Sequence, residues 1–186
     1  MARPRTLTDE QVLDRVGTAF EQADAAWTLV GAAVAAGLHP ATLIKRFGSR
    51  HGLLLALSRR WVQALPASAS TPDAHAELLA WAASISTGQN SSAQLLARME
   101  MLGEDLRDDE LRLLLHQGWT TNLGYLGDLV RRCQDHGHLS SRLSADTVAC
   151  LLLDVAHGAL LRAAAHPDPA QADPGRTLTA LLEALA

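Results

Sequence analysis

Apolar positions recur at helical spacing along almost the whole chain, and small polar residues punctuate them where helices begin and end. Leu13, Val16 and Phe20 fall at i, i+3 and i+7, flanked by Val12 and Ala19. Thr8 precedes this stripe as a cap, with Asp9 and Glu10 in the first turn, where the helix dipole favours acids. Residues 23–27 read as the exit. Thr28 caps a second helix to about Ala36, and Gly37 ends it, because a left-handed C-cap is cheap only for glycine. His39 takes the cap position of a third helix, with Pro40 in the first turn, where proline is tolerated. That helix stops at Phe47-Gly48, and Ser49 caps a fourth reaching roughly Leu65.

The segment PASASTP, residues 66–72, is the clearest break in the pattern. It divides the chain into a head, residues 1–65, and a body, residues 66–186. Within the body, helices are predicted from Asp73 to about Ser86, over 92–103, from Asp108 or Asp109 to about His136, over 145–165 and over 175–185. Gly137 closes the longest of them, Ser144 caps the next, and the Pro-rich HPDPAQADP stretch leads to the last.

Alanine and leucine dominate, while β-branched and aromatic residues are sparse, so the expected fold class is all-α. The net charge of −4 does not suggest a nucleic-acid binder, but it hides an asymmetry. Residues 1–65 carry eight Arg or Lys against five Asp or Glu, and residues 66–186 carry eight against fifteen. From Ala25 to Pro72 there is no acid at all, yet Lys45, Arg46, Arg50, Arg59 and Arg60 fall inside that stretch. Two short helices joined by a Gly turn, in a stretch whose only charges are basic, are suited to sit against phosphate.

In such a head, Leu38, Leu43 and Phe47 fall on one side of the third helix and pack inward. His39, Pro40, Ala41, Thr42, Ile44, Lys45 and Arg46 remain as outward or flanking positions. The N-terminal residues of a helix in the major groove face base edges, which assigns Ala41 and Thr42 to bases, including thymine methyls. Lys45 and Arg46 are expected on phosphate, with one of them able to reach a guanine. Thr28 and Arg50 stand at helix N-termini, where amides and side chains jointly hold phosphate. Arg3 and Arg5 lie on an arm suited to an adjacent minor groove.

Other chemistry is poorly supported. Cys133 and Cys150 make no disulfide framework and suit a reducing compartment. The N-terminus shows no apolar leader, and the most apolar run, Val148 to Ala165, is interrupted by Asp154, His157 and Arg162. A cytoplasmic protein without membrane spans is expected. No nucleophile elbow, phosphate loop or paired metal-ligand spacing occurs, so neither catalysis nor a cofactor is expected. Cys133, His136 and His138 cluster at a helix end but offer only three ligands, and no metal site is assigned.

At Val12-Leu13, Phe20, Ala33, Ala35-Ala36-Gly37-Leu38, Thr42-Leu43, Phe47-Gly48-Ser49-Arg50 and Leu53-Leu54, the chain resembles the TetR family of bacterial transcription regulators. The match covers roughly residues 8–60, with an ungapped spacing from the turn glycine to the phenylalanine and serine. Ile44 departs from it, standing where the family commonly has a phosphate-contacting tyrosine. The resemblance implies a repressor released from DNA by a small molecule, with a pocket enclosed by the body helices. Trp81, Ile85, Met99, Leu102, Trp119, Asn122, Leu126 and His157 are plausible walls for a small apolar or amphipathic effector.

The helix at 145–165 is apolar almost all round, and a helix with so little polar face must be covered on both sides. A second subunit is the natural cover, so 145–165 and 175–185, the latter with Leu178, Leu181, Leu182 and Leu185, are expected to pair with their symmetry mates. A twofold dimer would place two heads on a palindromic operator in double-stranded DNA. The alternative is a ligand-sequestering or protein-interaction bundle whose head has lost specific DNA recognition, motivated by Ile44 and the uncharged second helix.

Overall fold

Thr8 starts the first helix as the pattern predicts: its hydroxyl accepts from Gln11 N–H at 3.2 Å while the Gln11 side chain accepts from Thr8 N–H at 3.0 Å. This reciprocal cap satisfies two amides that have no partner inside the helix. The computed structural model describes residues 7–23, 27–86 and 91–186, and among these residues the regular structure is helical, with no strand.

The head consists of α1 (Asp9–Glu21), α2 (Leu29–Ala36), α3 (Pro40–Phe47) and the start of α4 (Arg50–Ala64). Val12, Val16, Ala33, Ala36, Leu43 and Leu53 form its buried core, with Leu38 and Phe47 packed around it. Full burial of side chains such as Leu43 and Leu53 is worth about 1.5–3 kcal/mol each, and this apolar seal holds three short helices together. Gly37 makes the turn between α2 and α3 with a φ of +67°, and Leu38 N–H reaches back to Ala33 O at 2.9 Å. Thr28, His39 and Ser49 cap α2, α3 and α4 through their side chains, as the sequence predicts.

The body comprises α5 (Ala74–Ser84), α6 (Ser92–Arg107), α7 (Asp109–Asp135), α8 (Ala145–Ala165) and α9 (Pro174–Leu185), with a 3₁₀ turn over Pro169–Ala172. Its core joins Leu78 of α5, Leu126, Leu129, Val130 and Cys133 of α7, Val148, Leu152 and Ala156 of α8, and Leu178 and Leu182 of α9. α7 also carries the connection to the head, since Leu111 is buried against Leu54 and Leu55 of α4. Farther along, the Trp61 ring rests on the backbone at Gly118, where a Cβ would lie 2.1 Å from the ring.

Three features differ from the sequence-based expectation. α6 runs on to Arg107 instead of stopping at Gly103: good helix formers follow the glycine, and Arg107 Nη1 donates to Gly103 O at 3.0 Å. Asp108 then ends α6 and caps α7, accepting from Glu110 and Leu111 N–H. The 66–72 break is tied down, because Glu77 accepts from Ser70 N–H, Thr71 N–H, both of their hydroxyls and Tyr125 Oη. Those hydrogen bonds, Ser70 N–H first, hold the Glu77 carboxyl down at about 2, and burial together with Glu77 pushes Tyr125 up to about 12. Finally, Leu178 and Leu182 turn into the body's own core, so they are not available to a partner.

α8 is the helix among the described residues that is long and apolar enough to cross a membrane by length and composition. Its Val148, Leu152, Ala156, Ala159 and Ala163 positions are buried inside the bundle.

Candidate functional site

Thr28 at the start of α2, His39 at the start of α3, and Ala41 and Lys45 of α3 are all exposed. Thr28 Oγ1 accepts from Gly31 N–H at 3.0 Å, and His39 Nδ1 accepts from Ala41 N–H at 3.2 Å. Pro40, Thr42 and Ile44 are half-buried along the flank of α3. Of these seven sequence-selected positions, His39, Pro40, Ala41 and Thr42 lie at the N-terminal end of α3, Ile44 and Lys45 lie farther along it, and Thr28 caps α2.

The remaining selected residues are placed differently. Arg46 turns back on the head, donating to Leu7 O at 2.8 Å and to Asp9 Oδ1 at 3.1 Å, and its side chain is only 18% exposed. It ties the end of α3 to the start of α1. Arg50 faces the body: it pairs in bidentate fashion with Glu104 of α6, and its guanidinium carbon lies 4.4 Å from the centre of the Trp27 ring. Lys45 is left as the exposed cation of α3. Arg3 and Arg5 lie outside the described residues.

α6 grips the head at two places. Near its start, Gln94 Nε2 and Arg98 Nη2 donate to Gln22 O and Glu21 O, the free carbonyls at the end of α1. Near its end, Glu104 holds Arg50, and Asp108 Oδ2 lies 3.1 Å from His51 Nε2. The Arg50 hydrogen bond holds the Glu104 carboxyl below its usual range, and Glu104 in turn raises Arg50. None of these α6 contacts was selected from the sequence, since they join residues 54 or more positions apart.

Of the eight residues read as pocket walls, none lines the cavity at the head–body junction. Leu126 is fully buried core, and Trp81 and Ile85 pack against the same core from its edge. Trp119 and His157 meet at 5.3 Å between ring centres, and Met99, Leu102 and Asn122 are half-buried. Trp119 also lines a shallow surface hollow beside Leu106, Arg112 and His116.

A cavity of about 420 Å³ lies instead at the junction of head and body. Leu13 and Phe20 of α1, Trp61 of α4, Met101 of α6, and Leu111 and Leu115 of α7 supply its apolar walls. Its charged groups are Asp14, Glu21 and Arg60, which are paired or exposed, and Asp105, and Thr18 and Ser58 add hydroxyls. Burial pushes the Asp105 carboxyl up to about 6, and the nearby Glu104 and Asp108 charges add to the shift.

No family model matches the sequence, and no curated protein matches it either. Solved structures do. A TetR transcription regulator from Haloarcula marismortui superposes with a TM-score of 0.72 at 18% identity, over 95% of this chain and 96% of that one. SmeT, the repressor of the Stenotrophomonas maltophilia multidrug efflux pump SmeDEF, gives 0.63 at 22% identity, over 96% and 90%. A transcriptional regulator from Saccharomonospora viridis, solved in complex with choline, gives 0.68 at 14% identity, over 94% of each chain. The correspondence runs through head and body alike, so the chain has the fold of the TetR-family transcription regulators.

Proposed function

We propose that this protein is a TetR-type transcription regulator that binds double-stranded DNA as a homodimer and is released from it by a small molecule. The observation that carries the reading is the exposed face of α3. Ala41 and Lys45 stand exposed on it, in a stretch free of acids from Ala25 to Pro72. An α-helix presenting small and cationic side chains without opposing carboxylates meets both requirements of the major groove, close approach and phosphate neutralisation. The repressor sign and the small-molecule effector follow the solved relatives, one a named repressor and one holding choline.

The dimer is supported by an exposed stripe on α8. Thr147, Leu151, Asp154, Gly158, Leu161 and Ala165 repeat at alternating steps of four and three, the spacing of a helix–helix seam. Leu161 is 60% exposed and Leu151 39%, while Gly158 leaves room for close approach. Ala180 and Ala184 of α9 are exposed as well. Leu161→Asp should convert the dimer into a folded monomer in sedimentation; an unchanged dimer would place the interface elsewhere.

Selection from random duplex DNA at about 150 mM salt, where phosphate attraction alone is weak, tests the regulator directly. An enriched palindrome is the expected result. A second reading, a protein-interaction bundle, is favoured by α2, whose outer positions Val30 and Val34 are 61% and 76% exposed with no charge between them. Lys45→Ala separates the two, because it weakens DNA binding in the first and changes nothing in the second.

A further inference from the structure

The junction cavity has a chemistry of its own. Its walls are aromatic, aliphatic and thioether side chains from α1, α4, α6 and α7, so whatever fills it touches the head and the body at once. At about 420 Å³ it falls within the size range of small-molecule sites. Into this apolar space α6 introduces Asp105, a half-buried carboxylate for which no hydrogen bond or ion pair is found among the described residues. The cation in the lining, Arg60, is already engaged by Asp14. Glu104 and Asp108, on either side of Asp105, are likewise committed to Arg50 and His51. Charge at the cavity is thus unbalanced towards the negative, with Asp14, Glu21 and Asp105 set against Arg60 alone.

We propose that this head–body cavity binds an amphipathic organic cation, its apolar part between Phe20, Trp61 and Met101 and its charge at Asp105. A carboxylate in apolar surroundings loses solvation that only an incoming positive charge can replace, and cations also favour the faces of aromatic rings such as Trp61. The position of the Asp105 carboxyl, at about 6, adds a consequence. Cation binding should strengthen as pH rises through that value, when the carboxyl ionises. The groups facing it are Asp14 and Glu21 on α1, Arg60 on α4 and its own neighbours Glu104 and Asp108. The site itself is defined without reference to DNA. That its occupant would shift the head rests on the regulator reading.

Gly17 offers a clean block. It lines the cavity, and a Cβ built on it meets nothing within 4 Å, so Gly17→Leu adds apolar bulk at the cavity wall with no clash at Cβ. The test is calorimetric titration of the full chain with phenethyltrimethylammonium, and with 4-phenylbutyrate as an anion of similar apolar body. Wild type should bind the cation and not the anion. Asp105→Asn and Gly17→Leu should each weaken cation binding at least tenfold with helical circular dichroism retained, while Leu79→Ala, on the exposed side of α5, should leave it unchanged. Equal binding of cation and anion, unaltered binding in both cavity variants, or no binding to wild type at millimolar cation would each overturn the proposal. DNA binding, read separately on a selected duplex, keeps the two readings apart. Cation binding without any DNA binding sinks the regulator alone, and DNA binding without cation binding sinks the cavity alone.

Discussion

Arg50 and Glu104 form a two-point ion pair across the head–body junction, and the guanidinium is stacked on Trp27, which itself meets Phe20 edge-on at 4.9 Å. A residue at the start of α4 is thereby locked to the end of α6, one helix turn from Glu100 and Met101 and adjacent to Asp105. Both partners are about 40% exposed, so the pair contributes little to global stability, about 0.2–1 kcal/mol at most. Glu104→Gln should therefore lower the urea midpoint only slightly. Its effect should appear in DNA affinity instead, as a several-fold change, because the head loses a fixed angle to the body. Equal DNA affinity in a titration of both proteins would show that the pair does not set head orientation.

Lys45 and Arg46 are neighbours in sequence and should behave as opposites. Lys45→Ala should weaken DNA binding across all sequences and reduce the salt slope by about one, with no loss of stability. Arg46→Ala should cost about 1 kcal/mol of stability by removing the bonds to Leu7 O and Asp9. Fluorescence anisotropy at several salt concentrations, beside urea denaturation, distinguishes them.

Gly52 is predicted to be intolerant of any side chain. A Cβ there would lie 2.0 Å from Phe47 O, a backbone atom at the end of α3 that cannot swing aside. Gly52→Ala should destabilise the head by about 1–3 kcal/mol, the usual cost of overpacking, despite the gain in helix propensity. Amide exchange in α3 should rise accordingly, and unchanged protection would argue against this close approach.

Glu77 makes stability depend on acid. Its carboxyl sits at about 2 in the folded chain, below the ordinary glutamate value near 4.3 in an unfolded chain. A depressed folded value means that the contribution is complete above the unfolded value and is lost as pH falls from there towards 2. Glu77→Gln should flatten that part of the profile and loosen residues 69–71. Urea midpoints between pH 2 and 6 for the two proteins check the sign.

The helix termini and the Gly37 turn were readable because they are local. A cap accepts an amide two or three residues away, a left-handed turn needs glycine at one position, and a buried stripe repeats every turn. These features determined the all-helical class, the helix-turn-helix and the resemblance to the TetR family, which the fold bears out.

Which polar groups remain free, and where space remains, only the tertiary structure decided. Arg46 and Arg50 look equivalent to Lys45 along the chain, yet their partners lie 39 and 54 residues distant and are brought near by helix crossings. Leu126 carries the right chemistry for a pocket wall, but the bundle closes over it. Periodicity says which face of a helix is apolar and not what covers it. The cavity sits where α1, α4, α6 and α7 fail to fill the junction, a property of four packed helices that no one of them encodes.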